Sequence, residues 1–160
     1  MSATYGALIT TGICLGAAAL EGWCAGKNVK AYFAELKSPR YSAPLWVWYL
    51  IGGVYYATFG FVLYRLFHLA TGSVLRTVTI TLVIGMMLAN ALWNYLFFRA
   101  QKLFASCVSG SLAPIFDLAL LMCLVWLDQT AALALIPYLI YRLYAVWWGY
   151  GLWKLNRSPS

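Results

Sequence analysis

Charge is what this sequence has least of. Its 160 residues hold 11 Lys and Arg, 4 Asp and Glu, and one His. A soluble domain of this length carries about 40 charged side chains, roughly a quarter of its residues. So few charges cannot cover the surface of a water-soluble globule, and that class is excluded. Metal-ligating sets are also missing. Cys14, Cys24, Cys107 and Cys123 form no CxxC pair, and the lone His68 completes no site with them. The cysteines read as small hydrophobes in apolar surroundings, with neither a metal nor a disulfide role. No Lys/Arg-rich block with polar spacing occurs, which excludes nucleic acid as a partner despite the net charge of +7. No phosphate loop and no Ser/His/Asp set is present, so no catalytic residues are expected. The N-terminus has no positive region before its first apolar stretch, because the first Lys is Lys27. That stretch is expected to be a retained span, not a signal peptide.

What is there is hydrophobic. The apolar share is 64%, against about 45–50% for soluble domains. One bilayer span uses roughly 20 apolar residues. The pattern therefore predicts an all-α integral membrane protein, a five-transmembrane-helix bundle forming one domain over 1–160. The spans are expected at about 5–26, 44–67, 74–98, 103–127 and 131–153. Loop one, 27–43, is the longest polar segment. Within it Tyr32, Phe33 and Leu36 recur at helical spacing, which predicts a short interfacial helix. Gly12-xxx-Gly16 and Gly22-xxx-Gly26 in span one offer a close approach to a neighbouring helix. Ser106, Ser109, Gly110, Ser111 and Pro114 interrupt span four. It is expected either to begin nearer Leu112 or to kink at Pro114. The polar tail 156–160 is expected to fray.

Basic residues are unevenly placed. Lys27, Lys30, Lys37, Arg40, Arg99, Lys102, Lys154 and Arg157 fall on one side of a five-span chain, and only Arg65 and Arg76 on the other. The positive-inside rule then puts the N-terminus outside and the C-terminus in the cytoplasm. An odd number of spans without an internal repeat argues against an inverted-repeat transporter.

Polar groups inside a membrane are costly, so each is a candidate functional site. Asn90, Trp93, Asn94 and Phe97 stand at i, i+3, i+4 and i+7 and share one face of span three. The amides fit either ligand recognition or, more commonly, interhelical hydrogen bonds. Asp117 has three open states: neutral, paired with Arg142 of span five, or facing water. Arg142 shares a face with Tyr138, and Glu21 lies near one end of span one. Aromatics number 28, with eight Trp. Interfacial belts explain Trp46, Trp48, Trp147, Trp148 and Trp153. They explain Tyr55, Tyr56 and Trp93 less well. Aromatic walls with a few amides suit a large, flat, apolar ligand.

Ordered motifs carry a resemblance. Leu36, Lys37, Pro39, Tyr41, Pro44 and Trp46 resemble L-x-K-P-x-W-x-P-P-x-W. Tyr56-x-x-Phe59-Gly60-x-x-x-Tyr64-Arg65 looks like Y-x-L-M-G-x-x-x-Y-R. Asn90-x-x-Trp93-x-x-Leu96-Phe97-Phe98 is similar to N-x-x-W-x-x-L-F-F. Pro137-Tyr138-Leu139 resembles P-Y-L, and Leu152-Trp153-Lys154-x-Asn156 resembles V-W-R-x-N. These are the patterns of the tryptophan-rich sensory protein/translocator protein family, also called peripheral-type benzodiazepine receptors. The resemblance covers about three quarters of the chain.

The resemblance implies a five-helix bundle, a homodimer, and a pocket opening towards loop one. It implies no resident cofactor. The implied ligands are a tetrapyrrole such as protoporphyrin IX, or a sterol. Carried over by position, Trp46, Asn90, Trp93, Phe97, Tyr138 and Tyr141 would be the ligand-binding residues. Val146, Tyr150 and Lys154 fall on the family's sterol-recognition stretch, a permissive pattern that Leu135, Tyr138 and Arg142 also satisfy. A bacterial membrane is implied first and the mitochondrial outer membrane second. Some members break down porphyrins photochemically with two tryptophans. Those positions hold Gly52 and Tyr141 here, and a glycine has no ring to donate an electron. Three function classes remain: a membrane sensor or carrier, a photochemical enzyme, and a proton-coupled exporter using Glu21 or Asp117.

Overall fold

A computed structural model of the chain describes residues 3–69 and 73–157. Its helices are α1 Ala3–Ala25, α2 Val29–Glu35, α3 Leu45–His68, α4 Val74–Asn94, α5 Leu103–Leu127 and α6 Gln129–Asn156. A π-helical turn, Tyr95–Arg99, prolongs α4. Five helices are long and apolar enough to cross a membrane. At 1.5 Å per residue even the 23 residues of α1 reach roughly 35 Å, enough for a hydrocarbon core of about 30 Å. The tail beyond Arg157, expected to fray, lies outside the described residues, as does most of the turn between α3 and α4.

Span four has its expected bounds, 103–127, and the alternative start near Leu112 is not adopted. α5 is helical from Leu103, with Ser106, Gly110 and Pro114 inside it. In an apolar surround a backbone has no water to bond, so helix wins over weak propensities. Ser106 meets its own need by donating from its hydroxyl to the Leu103 carbonyl at 2.9 Å. The Gly12 and Gly16 expectation is corrected. A Cβ at either would meet nothing within 4 Å, and both are exposed. The close approach of α1 to α3 occurs at Gly60, where a Cβ would lie 3.3 Å from Cys14 Sγ.

The five long helices form a ring. α1 packs on α3 and α4, α3 on α6, α6 on α5, and α5 on α4. Leucine, isoleucine and valine on the outer faces are widely exposed, as at Leu8, Leu118, Leu133 and Ile140. This is the arrangement expected when lipid is the solvent. The tight core fills the half of the ring near the α5–α6 turn. Phe59, Leu63 and Leu66 of α3 meet Val83 and Met87 of α4, Leu120 and Leu124 of α5, and Leu135 of α6. Asp128 alone joins α5 to α6. Its carboxylate accepts from the Ala131 N–H at 3.1 Å, capping α6, and pairs with Arg65 at 2.6 Å.

The opposite half is closed by loop one. Tyr32 of α2 packs edge-on against Phe97, and Phe33 stacks on Trp148. The apolar side of α2 therefore faces the bundle. Asn156 of α6 both accepts from and donates to the Lys37 backbone at 2.9 Å. The Tyr144 hydroxyl donates to the Tyr41 carbonyl and accepts from the Ala43 N–H. Trp148 Nε1 donates to Ser42 Oγ at 2.7 Å. Gly151 lets Pro39 sit on α6, since a Cβ there would come within 3.0 Å of the ring. Loop one is thus strapped across one mouth of the ring.

Candidate functional site

Beneath that strap lies a cavity of about 310 Å³, lined from α1, α2, α3, α4 and α6. Its aromatic walls include Trp48, Tyr55, Tyr56, Trp93, Tyr138 and Tyr141, and its polar groups are Glu21, Asn90, Asn94 and Arg142. The rings brace one another. Trp48 lies 4.4 Å from Trp148, and Trp93 stacks on Phe97 at 4.9 Å with planes 9° apart. Trp48 Nε1 donates to the Ala43 carbonyl at 3.1 Å, so the strap fixes that wall. Trp93 Nε1 donates to the Ser106 carbonyl at 3.1 Å. Gly110 of α5 admits the indole, because a Cβ there would lie 3.3 Å from Nε1.

The polar groups sit in two clusters. In the first, Glu21 Oε2 accepts from the Tyr56 hydroxyl at 2.6 Å and from Asn90 Nδ2 at 2.9 Å, while Oε1 accepts from Asn94 Nδ2 at 3.0 Å. One carboxylate thereby ties α1 to α3 and α4. In the second, Arg142 Nε donates to Asp117 Oδ2 at 2.8 Å, and Arg142 Nη2 donates to the Tyr138 hydroxyl. Of the three states open for Asp117, pairing with Arg142 is the one adopted. Its other oxygen is buried without a partner.

A second hollow of about 360 Å³ lies along the α4–α5 seam, lined by exposed Thr81, Gly85 and Ala89 and by Leu112, Ala113 and Phe116. Asn90, Trp93 and Arg142 border both spaces. Trp93 is therefore part of the partition between the interior and the outer seam.

Asn90, Trp93, Tyr138 and Tyr141 come together in the main cavity. Trp46 does not, and its expected place is corrected: it is 66% exposed and lines none of these spaces. Two residues on, about 200° around the helix, Trp48 points inward instead. Phe97 is also displaced. It lies buried behind Trp93 and borders a smaller hollow of about 70 Å³, shared with Val146. Tyr150 is half exposed against Trp153, and Lys154 is exposed. Val146, Tyr150 and Lys154 thus run down α6 away from the cavity. Gly52, which carries no ring, lines the cavity beside Tyr141.

Glu21 was not among the expected ligand-binding residues, yet it is the acceptor that organises one wall. The signal was the pair Asn90 and Asn94, one helical turn apart. Two intramembrane amides on one face need an acceptor, and span one supplies one carboxylate. The commoner reading of those amides, interhelical hydrogen bonding, is what they do.

The profile of the TspO/MBR family matches residues 10–154. The chain belongs to the TspO/MBR family. None of the curated proteins compared with the chain matches it. The TspO/MBR match runs from α1 to the last turn of α6, so every residue that lines the cavity, from Ala18 to Trp148, lies inside it. Membership supports a membrane sensor or transporter role. Among the described residues, no cluster of three or more His, Cys, Asp or Glu is placed to hold a metal ion.

Proposed function

We propose that the chain binds a large, flat, apolar ligand in the cavity under loop one, a porphyrin such as protoporphyrin IX first and a sterol second. It then acts as a sensor or carrier of that ligand. One observation carries the reading: ten aromatic rings from α2, α3, α4 with its π-helical turn, and α6 wall one space, with the charged and amide groups confined to two clusters. Ligand sites are mostly apolar with few placed polar groups, at volumes of about 300–1,000 Å³. This cavity is at the lower end of that range. Trp93, bonded to the Ser106 carbonyl, separates it from the α4–α5 hollow of about 360 Å³.

The test is a titration with protoporphyrin IX followed by tryptophan quenching, on the wild type and on Asn90→Ala/Trp93→Ala. Saturable quenching that the double substitution weakens is the expected result. Quenching that never saturates, or that the substitution leaves alone, rejects the cavity as the site.

Glu21 favours a second reading, proton-coupled export, because its carboxylate stands on the cavity wall. Replacing it by Gln and following ligand-stimulated proton flux in vesicles separates the two. Unchanged flux rejects export.

A further inference from the structure

Arg142 is an expensive residue at mid-span, and its counter-ion does not use it up. A guanidinium has five N–H donors in a planar fork. Nε donates to Asp117 and Nη2 to the Tyr138 hydroxyl. Among the described residues, Nη1 has no hydrogen-bond partner. The side chain is only 16% exposed, and it borders the cavity as well as the α4–α5 hollow and the smaller hollow. Asp117, 1% exposed, takes a single bond, from Nε, and Tyr138 takes one from Nη2, so Nη1 is the end of the fork without a protein acceptor.

A second unmet donor stands nearby. Tyr55 is 5% exposed and lines the same cavity, and its hydroxyl has no partner. Its ring packs 5.5 Å from that of Tyr138, which holds Arg142. Buried donors without acceptors cost free energy, and native interiors rarely keep them unless something else fills the role. Two carboxylates compete for these donors, and Asp117 accepts from Arg142 Nε through Oδ2 while its Oδ1 has no partner. Glu21, on the opposite wall, already accepts three hydrogen bonds from protein donors. An acceptor on the ligand therefore finds its unmet donors at Arg142 and Tyr55.

We infer that Arg142 and Tyr55 form a carboxylate-binding subsite, which selects flat apolar acids over neutral ligands of the same shape. The inference rests on the cavity being the ligand site proposed above. A carboxylate matches the fork of a guanidinium in geometry and charge, and hydrogen bonds between charged partners are the strong ones. Asp117, bonded behind the fork, holds it in position, as does the Tyr138 hydroxyl. The aromatic walls take the body of the ligand and the subsite takes its acid, so a neutral sterol would leave both donors unmet.

The probes are protoporphyrin IX and its dimethyl ester, which share one ring and differ in free carboxylates. Each is titrated into the purified full chain in lipid nanodiscs, with tryptophan quenching as the readout. The wild type is expected to bind the acid roughly ten- to hundredfold more tightly than the ester. Arg142→Gln is expected to reduce that preference to less than about threefold. Equal wild-type affinities overturn the subsite while leaving the cavity reading intact. A preference that survives Arg142→Gln also overturns it. Saturable binding of neither probe overturns both. If Arg142→Gln does not fold, Tyr55→Phe decides, because the hydroxyl it removes has no partner to lose. A preference reduced several-fold supports the subsite, and an unchanged one overturns it.

Discussion

At the residue scale, the load on each polar group sets what its loss does. Glu21→Ala leaves the Tyr56, Asn90 and Asn94 donors facing one another in an apolar interior. Unpaired buried donors cost about 1–3 kcal/mol. The variant is therefore expected to unfold at lower temperature in detergent, with Glu21→Gln in between because an amide oxygen still accepts. A melting curve that superimposes on the wild type would show that the carboxylate ties nothing together. Gly110→Val tests a steric point. The added carbons meet Trp93 Nε1, which a bare Cβ would already approach to 3.3 Å, and overpacking of this kind costs about 1–3 kcal/mol. Trp93 must leave its bond to the Ser106 carbonyl, so the tryptophan emission should shift and porphyrin quenching should weaken. Emission and quenching like those of the wild type would remove Trp93 from the wall.

At the element scale, Asp128 is the joint between α5 and α6. The hydrogen bond from Arg65 holds its carboxyl below the usual carboxylate range, with help from the Ala131 N–H. A folded pKa that is depressed gives stability present above the ordinary value of 3.8 and lost as pH falls through the lowered one. Thermal stability followed from about pH 6 down to about pH 3 should thus fall in the wild type by an amount that Asp128→Asn does not show. Identical slopes would mean the pair contributes nothing. Asp128→Ala should cost about 1 kcal/mol more generally, as the loss of an N-cap does. The spans were legible because apolar runs of about 20 residues have one solution in lipid. The start of α5 was left between Leu103 and Leu112. Ser and Gly read as breakers by rules learned in water, whereas here Ser106 bonds its own helix and Gly110 makes room for an indole. The site was half legible for a related reason. Asn90 and Trp93 share a face by helical spacing within a span, which sequence shows, and Tyr138 came with the family resemblance. Trp48 over Trp46, and Glu21 opposite Asn94, depend on how a helix is rotated against its neighbours, which sequence does not show.

At the scale of the whole molecule, the basic residues are sorted by end. Lys37 is bonded to the last turn of α6, and Arg99 Nη1 donates to the Trp23 carbonyl at the end of α1. Loop one, the π-helical turn and the end of α6 therefore share one end of the ring, with Lys27, Lys30, Arg40, Lys102, Lys154 and Arg157 in the same segments. The other end has Arg65 and Arg76. Arg65 is neutralised by Asp128, and Arg76 Nε is committed to the Leu66 carbonyl. Lys and Arg near span ends favour the cytoplasmic side, so we propose that loop one and the C-terminus are cytoplasmic and the N-terminus is outside. A fluorescent protein fused after Ser160 should then fluoresce in a bacterial host, and alkaline phosphatase fused there should be inactive. The reverse pair of results would turn the bundle over, and would put the strapped mouth of the cavity on the far side of the membrane.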